Sequence, residues 1–145
     1  MANRTFTLDE ARNLLPVLES LLRAAMEARD QAQQVEREMT ELKTRIHNAG
    51  GLLVDVRQTA TRKAQGEKAM QRLKDALAEI DSIGVQVKDI DMGLLDFPCT
   101  VEGKIVLLCW KLGETTINHW HGLEEGFRGR KVIDESFLRS QKPNQ

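Results

Sequence analysis

Residues 14–49 read LLPVLESLLRAAMEARDQAQQVEREMTELKTRIHNA, and the fold turns on how this stretch is read. Apolar residues recur at Leu14, Leu18, Leu21, Ala25, Ala28, Ala32, Val35, Met39, Leu42, Ile46 and Ala49, in steps alternating between four and three. That is an uninterrupted heptad seam on one long helix. Arg23, Glu27, Arg29, Asp30, Glu36, Arg37 and Glu41 lie off the seam and keep the outer faces wet. Toward the N-terminus, Thr7-Leu8-Asp9-Glu10 has the form of a capping box and predicts a start at Leu8. Pro16 removes a backbone donor and disfavours helical geometry at Leu15, so a kink is expected there. Toward the C-terminus, Asn48-Ala49-Gly50-Gly51 supplies the stop. At ~1.5 Å per residue, residues 8–48 would span about 60 Å.

A second helix is predicted over residues 58–82, where Met70, Leu73, Leu77 and Ile80 carry the spacing. Extending its phase backwards gives Gly66, Lys63 and Thr59 before Val56 and Leu52, a stretch with little to bury. The two segments pair as an antiparallel helical hairpin in which Ala25, Ala28 and Ala32 permit close approach. The first seam outlasts its partner, leaving Val35, Met39, Leu42 and Ile46 against the poor stretch. A homodimer is the expected cover.

After Gly84 the pattern changes to alternation and short apolar runs, and strands are predicted near 85–90, 94–101 and 104–111. A two-residue turn at Glu102-Gly103 pairs Val101 with Lys104, Cys99 with Val106, Phe97 with Leu108 and Leu95 with Trp110 on one face. On the other face Asp96 falls beside Cys109, a carboxylate and a thiol among apolar neighbours. Cys99 and Cys109 then lie on opposite faces, where a disulfide cannot close. The fold class is thus α+β, mostly α: a long antiparallel helical hairpin with a small C-terminal antiparallel β element. One domain spans 1–145, with the hairpin at 8–82, the β and polar region at 85–135, and a flexible tail at 136–145.

Composition agrees with a single folded unit. The 145 residues are 41% hydrophobic and 30% charged, enough for a core under a well-solvated surface. Lys and Arg number 21 against 22 Asp and Glu, and neither half carries a basic excess of the size nucleic-acid binding requires. No run approaches a membrane span and residues 1–30 lack a signal-peptide pattern, so a cytoplasmic location is expected.

The polar residues with chemical potential are few. Asp89 and Asp91 form an acidic pair. His119 and His121 would converge on a divalent metal from one face of an extended segment. In a helix His121 would instead align with Glu124 and Glu125. The plainer alternative, which carries more weight, is that His121 hydrogen-bonds a carboxylate or carbonyl and braces a loop. Arg128 and Arg130 in Gly126-Phe127-Arg128-Gly129-Arg130 could grip a phosphate or carboxylate. Phosphate loops, dinucleotide fingerprints, His-Glu-x-x-His helices and nucleophile elbows are all missing.

Taken in order, Phe6-Thr7-Leu8-Asp9-Glu10-Ala11, Leu14-Leu15-Pro16, Lys88-Asp89-Ile90, Gly93-Leu94-Leu95-Asp96-Phe97-Pro98, Cys109-Trp110-Lys111-Leu112-Gly113-Glu114, Trp120-His121 and Gly126-Phe127-Arg128-Gly129-Arg130 resemble a small bacterial family, domain of unknown function twenty-two-oh-three. The resemblance covers nearly the whole chain. It implies a long helical hairpin joined to a small β element, with no established activity and no catalytic residue to carry over. That family pattern matches Trp120-His121 without requiring a histidine at 119, which shifts weight from the His-x-His pair to Glu114, His121 and Arg130. These three are expected to share a pocket at the end of the second hairpin strand, with Trp120 burying its ring beside them. The functional expectation is a non-catalytic binding or interaction module that self-associates through its helices. The alternative is a divalent-metal-binding protein or metal-dependent hydrolase using His121 with nearby carboxylates.

Overall fold

The computed structural model describes residues 4–51 and 55–140. Helix α1 runs unbroken from Leu8 to Ala49, through Pro16, and helix α2 from Val56 to Ile83. Five strands follow: β1 (Gln86–Asp89), β2 (Leu94–Val101), β3 (Lys104–Lys111), β4 (His119–Gly122) and β5 (Lys131–Val132), with a short helix α3 at Glu135–Ser140. The strands form one antiparallel meander in the order β1-β2-β3-β4-β5. The sheet is therefore larger than the small element expected, because β4 and β5 add to the free edge of β3. Residues 136–140 of the expected tail lie in α3 with Phe137 buried, and 141–145 lie outside the described residues, as does Leu52. No described helix is long and apolar enough to cross a membrane.

Local chemistry sets the helix ends. The Thr7 amide donates to Glu10 Oε1 at 2.8 Å and the Glu10 amide to Thr7 Oγ1 at 3.1 Å, so the capping box is closed. The Asp55 carboxylate accepts from the Gln58 amide at the start of α2. Both helices end on glycine at positive φ, with Gly51 donating to Ile46 and Val85 to Ile80 five residues back, which satisfies carbonyls the helix leaves open.

The chain divides into two compact units, Met1–Leu22 with Leu77–Gln145, and Arg23–Ala76. In the first, β2 and β3 pair in the expected register, Val101 with Lys104 through Leu94 with Lys111. Glu102 and Gly103 both take positive φ in the connecting turn, as the strand twist demands. Leu95, Phe97, Cys99, Leu108 and Trp110 are buried on one face, where Phe6 meets Phe97 edge-on at 5.8 Å. Pro98 lies past the end of β1, where its missing N–H breaks no ladder bond, and its carbonyl accepts from the Phe6 amide at 2.7 Å. Within this unit α1 buries Leu8, Ala11, Leu15, Leu18 and Leu22, leaving Leu14 and Leu21 half-buried. Leu18 thus holds the expected seam, while Leu15 and Leu22 take the buried places expected of Leu14 and Leu21.

In the second unit α1 buries Ala25, Ala28, Ala32 and Val35, on the expected seam. On α2, Gly66 and Leu73 face inward on the expected stripe, but Arg62, Ala69 and Ala76 join them while Met70 is 41% exposed. Small residues won because the helices approach closely. A Cβ on Gly66 would come within 2.7 Å of Val35 Cγ1. Beyond this contact the Arg62 guanidinium holds Glu38, NH2 to Oε2 at 2.7 Å.

Candidate polar site on the sheet

Strand alternation places Asp96 (β2), Cys109 (β3), and His119 and His121 (β4) on one face, because Asp96 pairs with Cys109, Cys109 with His119, and Leu107 with His121. Asp96 is 0% exposed, and Cys109 and His121 are each 1% exposed. Their ligand atoms all lie within 4.8 Å of one another. His121 Nε2 is 3.2 Å from Asp96 Oδ1, and its Nδ1 is 2.8 Å from the Gly122 carbonyl oxygen. A carbonyl only accepts, so Nδ1 carries the hydrogen and Nε2 points its lone pair at Asp96 when the ring is neutral. Burial pushes the Asp96 carboxyl above its usual range, against the opposing pull of His121. A proton held on Asp96 would satisfy Nε2. Yet Oδ2, also buried, has no partner at hydrogen-bonding geometry among the described residues, although the Cys109 thiol lies beside the carboxyl. The Cys109 thiol itself is pushed up to about 11, first by burial and then by the Asp96 charge.

Arg130 links this group to a second one. Its guanidinium lies against the Cys109 thiol and forks onto Glu114, NH1 to Oε1 at 3.1 Å and NH2 to Oε2 at 2.7 Å. Glu114 Oε1 also accepts from the Lys111 amide at 2.8 Å, and the Glu114 carbonyl accepts from Trp110 Nε1 at 3.0 Å. Burial opposes ionisation of Glu114, but Arg130 and the Lys111 amide outweigh it and hold the carboxyl below its usual range. The Arg130 guanidinium also stacks over Phe127, 4.2 Å from the ring centroid.

The expected site residues fall into two groups that Arg130 joins. His119 turns toward Glu114, Nδ1 to Oε2 at 3.8 Å, and that buried Nδ1 has no hydrogen-bond partner among the described residues. His121 turns toward Asp96. Glu125 Oε1 accepts from the Gly122 amide and from Lys131 Nζ, closing the β4–β5 connection. Glu124 and Arg128 are exposed. Asp89 Oδ1 accepts from the amides of Asp91 and Met92 and braces the β1–β2 turn. Trp120 is half-buried rather than fully enclosed, with Phe137 at 5.3 Å and Lys131 Nζ over its ring. Asp96 and Cys109 stand as neighbours in the hairpin register; what sequence reasoning missed is the strand that brings His121 onto them.

Residues 4–133 match a family model described as Uncharacterized conserved protein (DUF2203). No curated protein and no solved structure matches the chain.

Proposed function

Because the chain belongs to this uncharacterized conserved family, which brings no activity with it, we propose a function from the geometry alone: a non-catalytic binding module that forms a homodimer through its helices. The observation that carries the reading is the row Met39, Leu42 and Ile46 on α1, half-buried and continuous with the buried Ala28, Ala32 and Val35. Facing that row, α2 offers Thr59 and Arg62, and Val56 at its start is 74% exposed. Long apolar side chains set against a short polar stripe leave apolar area for a second copy to cover.

The Glu114 cluster supports the non-catalytic half of the proposal. Both of its carboxylate oxygens are engaged, and its backbone carbonyl anchors Trp110, an arrangement that braces the end of β3. A cytoplasmic location suits two cysteines that are not disulfide-bonded, and the balanced charge argues against a nucleic-acid partner. The test is sedimentation velocity at micromolar concentration. The expected species is a dimer, shifted to monomer by Leu42→Glu with Ile46→Glu while circular dichroism stays helical. A wild-type chain that sediments only as monomer overturns the proposal.

A further inference from the structure

The buried Asp96, Cys109 and His121 cluster plays no part in self-association. We infer that it is a binding site for one divalent ion of the zinc class, held by a carboxylate oxygen of Asp96, Sγ of Cys109 and Nε2 of His121.

Four observations converge on this site. The donor types come first: a thiol, an imidazole and a carboxylate form a mixed sulfur, nitrogen and oxygen set that suits a borderline cation. Mg2+ and Ca2+ seek six or more oxygens. Spacing comes second. Nitrogen and oxygen ligands at ~2.0–2.1 Å from a tetrahedral ion lie about 3.3 Å apart. The His121 Nε2 to Asp96 Oδ1 separation is 3.2 Å, and the Cys109 sulfur lies within 4.8 Å of a ring nitrogen of His121 and of a carboxylate oxygen of Asp96. Third, the Gly122 carbonyl holds the hydrogen on Nδ1 and turns the lone pair of Nε2 into the cluster, as outer-shell carbonyls do for ligating histidines. Last, Asp96 Oδ2 is buried with only the Cys109 thiol beside the carboxyl, and it makes no bond of hydrogen-bonding geometry among the described residues. Such an atom is costly unless something binds it.

Charge fits as well. A divalent ion with one carboxylate and one thiolate sums to zero, and the Arg130 charge nearby is balanced by Glu114. The three donors come from three adjacent strands, β2, β3 and β4, so a bound ion would cross-link the middle of the sheet. Because the site is closed to solvent, loading is expected during folding or through local opening.

The test uses the full chain under reducing conditions, stripped of metal with EDTA. Co2+ serves as the probe, and it is added both to the folded protein and during refolding. The expected result is one Co2+ per chain with a thiolate-to-cobalt charge-transfer band, displaced by one Zn2+ and untouched by millimolar Mg2+, and a melting temperature raised by Zn2+. Cys109→Ser should abolish the band. Asp96→Asn should weaken binding at least about tenfold, and Cys99→Ser should leave the band intact. Folded wild-type protein that takes up no stoichiometric Co2+ or Zn2+ by either route overturns the inference. So does a band that survives Cys109→Ser or is lost with Cys99→Ser, or displacement of Co2+ by Mg2+. If Cys109→Ser or Asp96→Asn fails to fold, the wild-type spectrum and its melting shift with Zn2+ decide: their absence overturns the site.

Discussion

Glu114 holds three groups at once: the Arg130 guanidinium and the Lys111 amide through its carboxylate, and the Trp110 indole through its carbonyl. Its folded pKa lies below the ordinary carboxylate value, so its contribution is present above that value and is lost as pH falls through the folded pKa. Glu114→Gln removes the charge-assisted fork on a largely buried Arg130 and is expected to cost about 1–3 kcal/mol at pH 7. The gap between wild type and variant should close as pH drops below the carboxylate range. Urea denaturation at several pH values measures this, and a gap that widens in acid would contradict it. The two cysteines make a second residue-scale expectation. Burial pushes both thiols to about 11, with Glu10 adding to the effect at Cys99 and Asp96 at Cys109. In the metal-free protein neither should react with a disulfide reagent at neutral pH until the chain is denatured. Rapid labelling of the native fold would show the burial to be wrong.

Among the elements, the pairing of α1 with α2 is decided at Gly66. Replacing glycine with alanine in an exposed helix interior usually gains ~1 kcal/mol. At Gly66 the new methyl would meet Val35 Cγ1 at 2.7 Å, and valine in a helix is confined to one rotamer, so it cannot swing aside. Gly66→Ala is therefore expected to lose that gain and destabilise the chain. The double variant with Val35→Ala should show a favourable coupling of at least about 0.5 kcal/mol. Strict additivity in thermal or chemical denaturation would mean the helices do not touch there. At the other end of α1, Thr7→Ala should cost about 1 kcal/mol, since it removes the Oγ1 acceptor of the Glu10 amide and leaves only the bond from the residue-7 amide to the Glu10 carboxylate.

Across the whole molecule, the two units bury different kinds of side chain. Among the described residues of Arg23–Ala76 the buried ones are alanines and Val35, whereas the unit containing the sheet buries Trp110, Phe6, Phe97 and several leucines. A fully buried leucine or phenylalanine contributes about 1.5–3 kcal/mol, while an alanine methyl offers a fraction of that. Amide hydrogen exchange in Arg23–Ala76 is accordingly expected to proceed by openings of lower free energy than exchange in β2 and β3. Its protection should rise with protein concentration, because a second chain would cover Met39, Leu42 and Ile46. Uniform protection that does not change with concentration would count against both the energetic division and the dimer.

The sequence by itself determined whatever depends on near neighbours along the chain. The capping box, the glycine stops and the Glu102-Gly103 turn are local, and a two-residue turn between alternating runs leaves one register for β2 and β3, so the Asp96 and Cys109 pairing was legible. Only the tertiary structure decided which face of α2 turns inward. Side-chain bulk favours Met70, but the close approach to Val35 selects the small stripe of Gly66, Ala69 and Ala76. It also decided that His119-Trp120-His121-Gly122 is a strand, since four residues with Trp120 alone favouring a strand could be read as extended or helical until the open edge of β3 supplies their hydrogen bonds. The cluster depended on that pairing. Asp96 and His121 are 25 residues apart and on strands that do not pair with each other, so they meet only when β3 lies between them and the pleat turns both side chains to the same face.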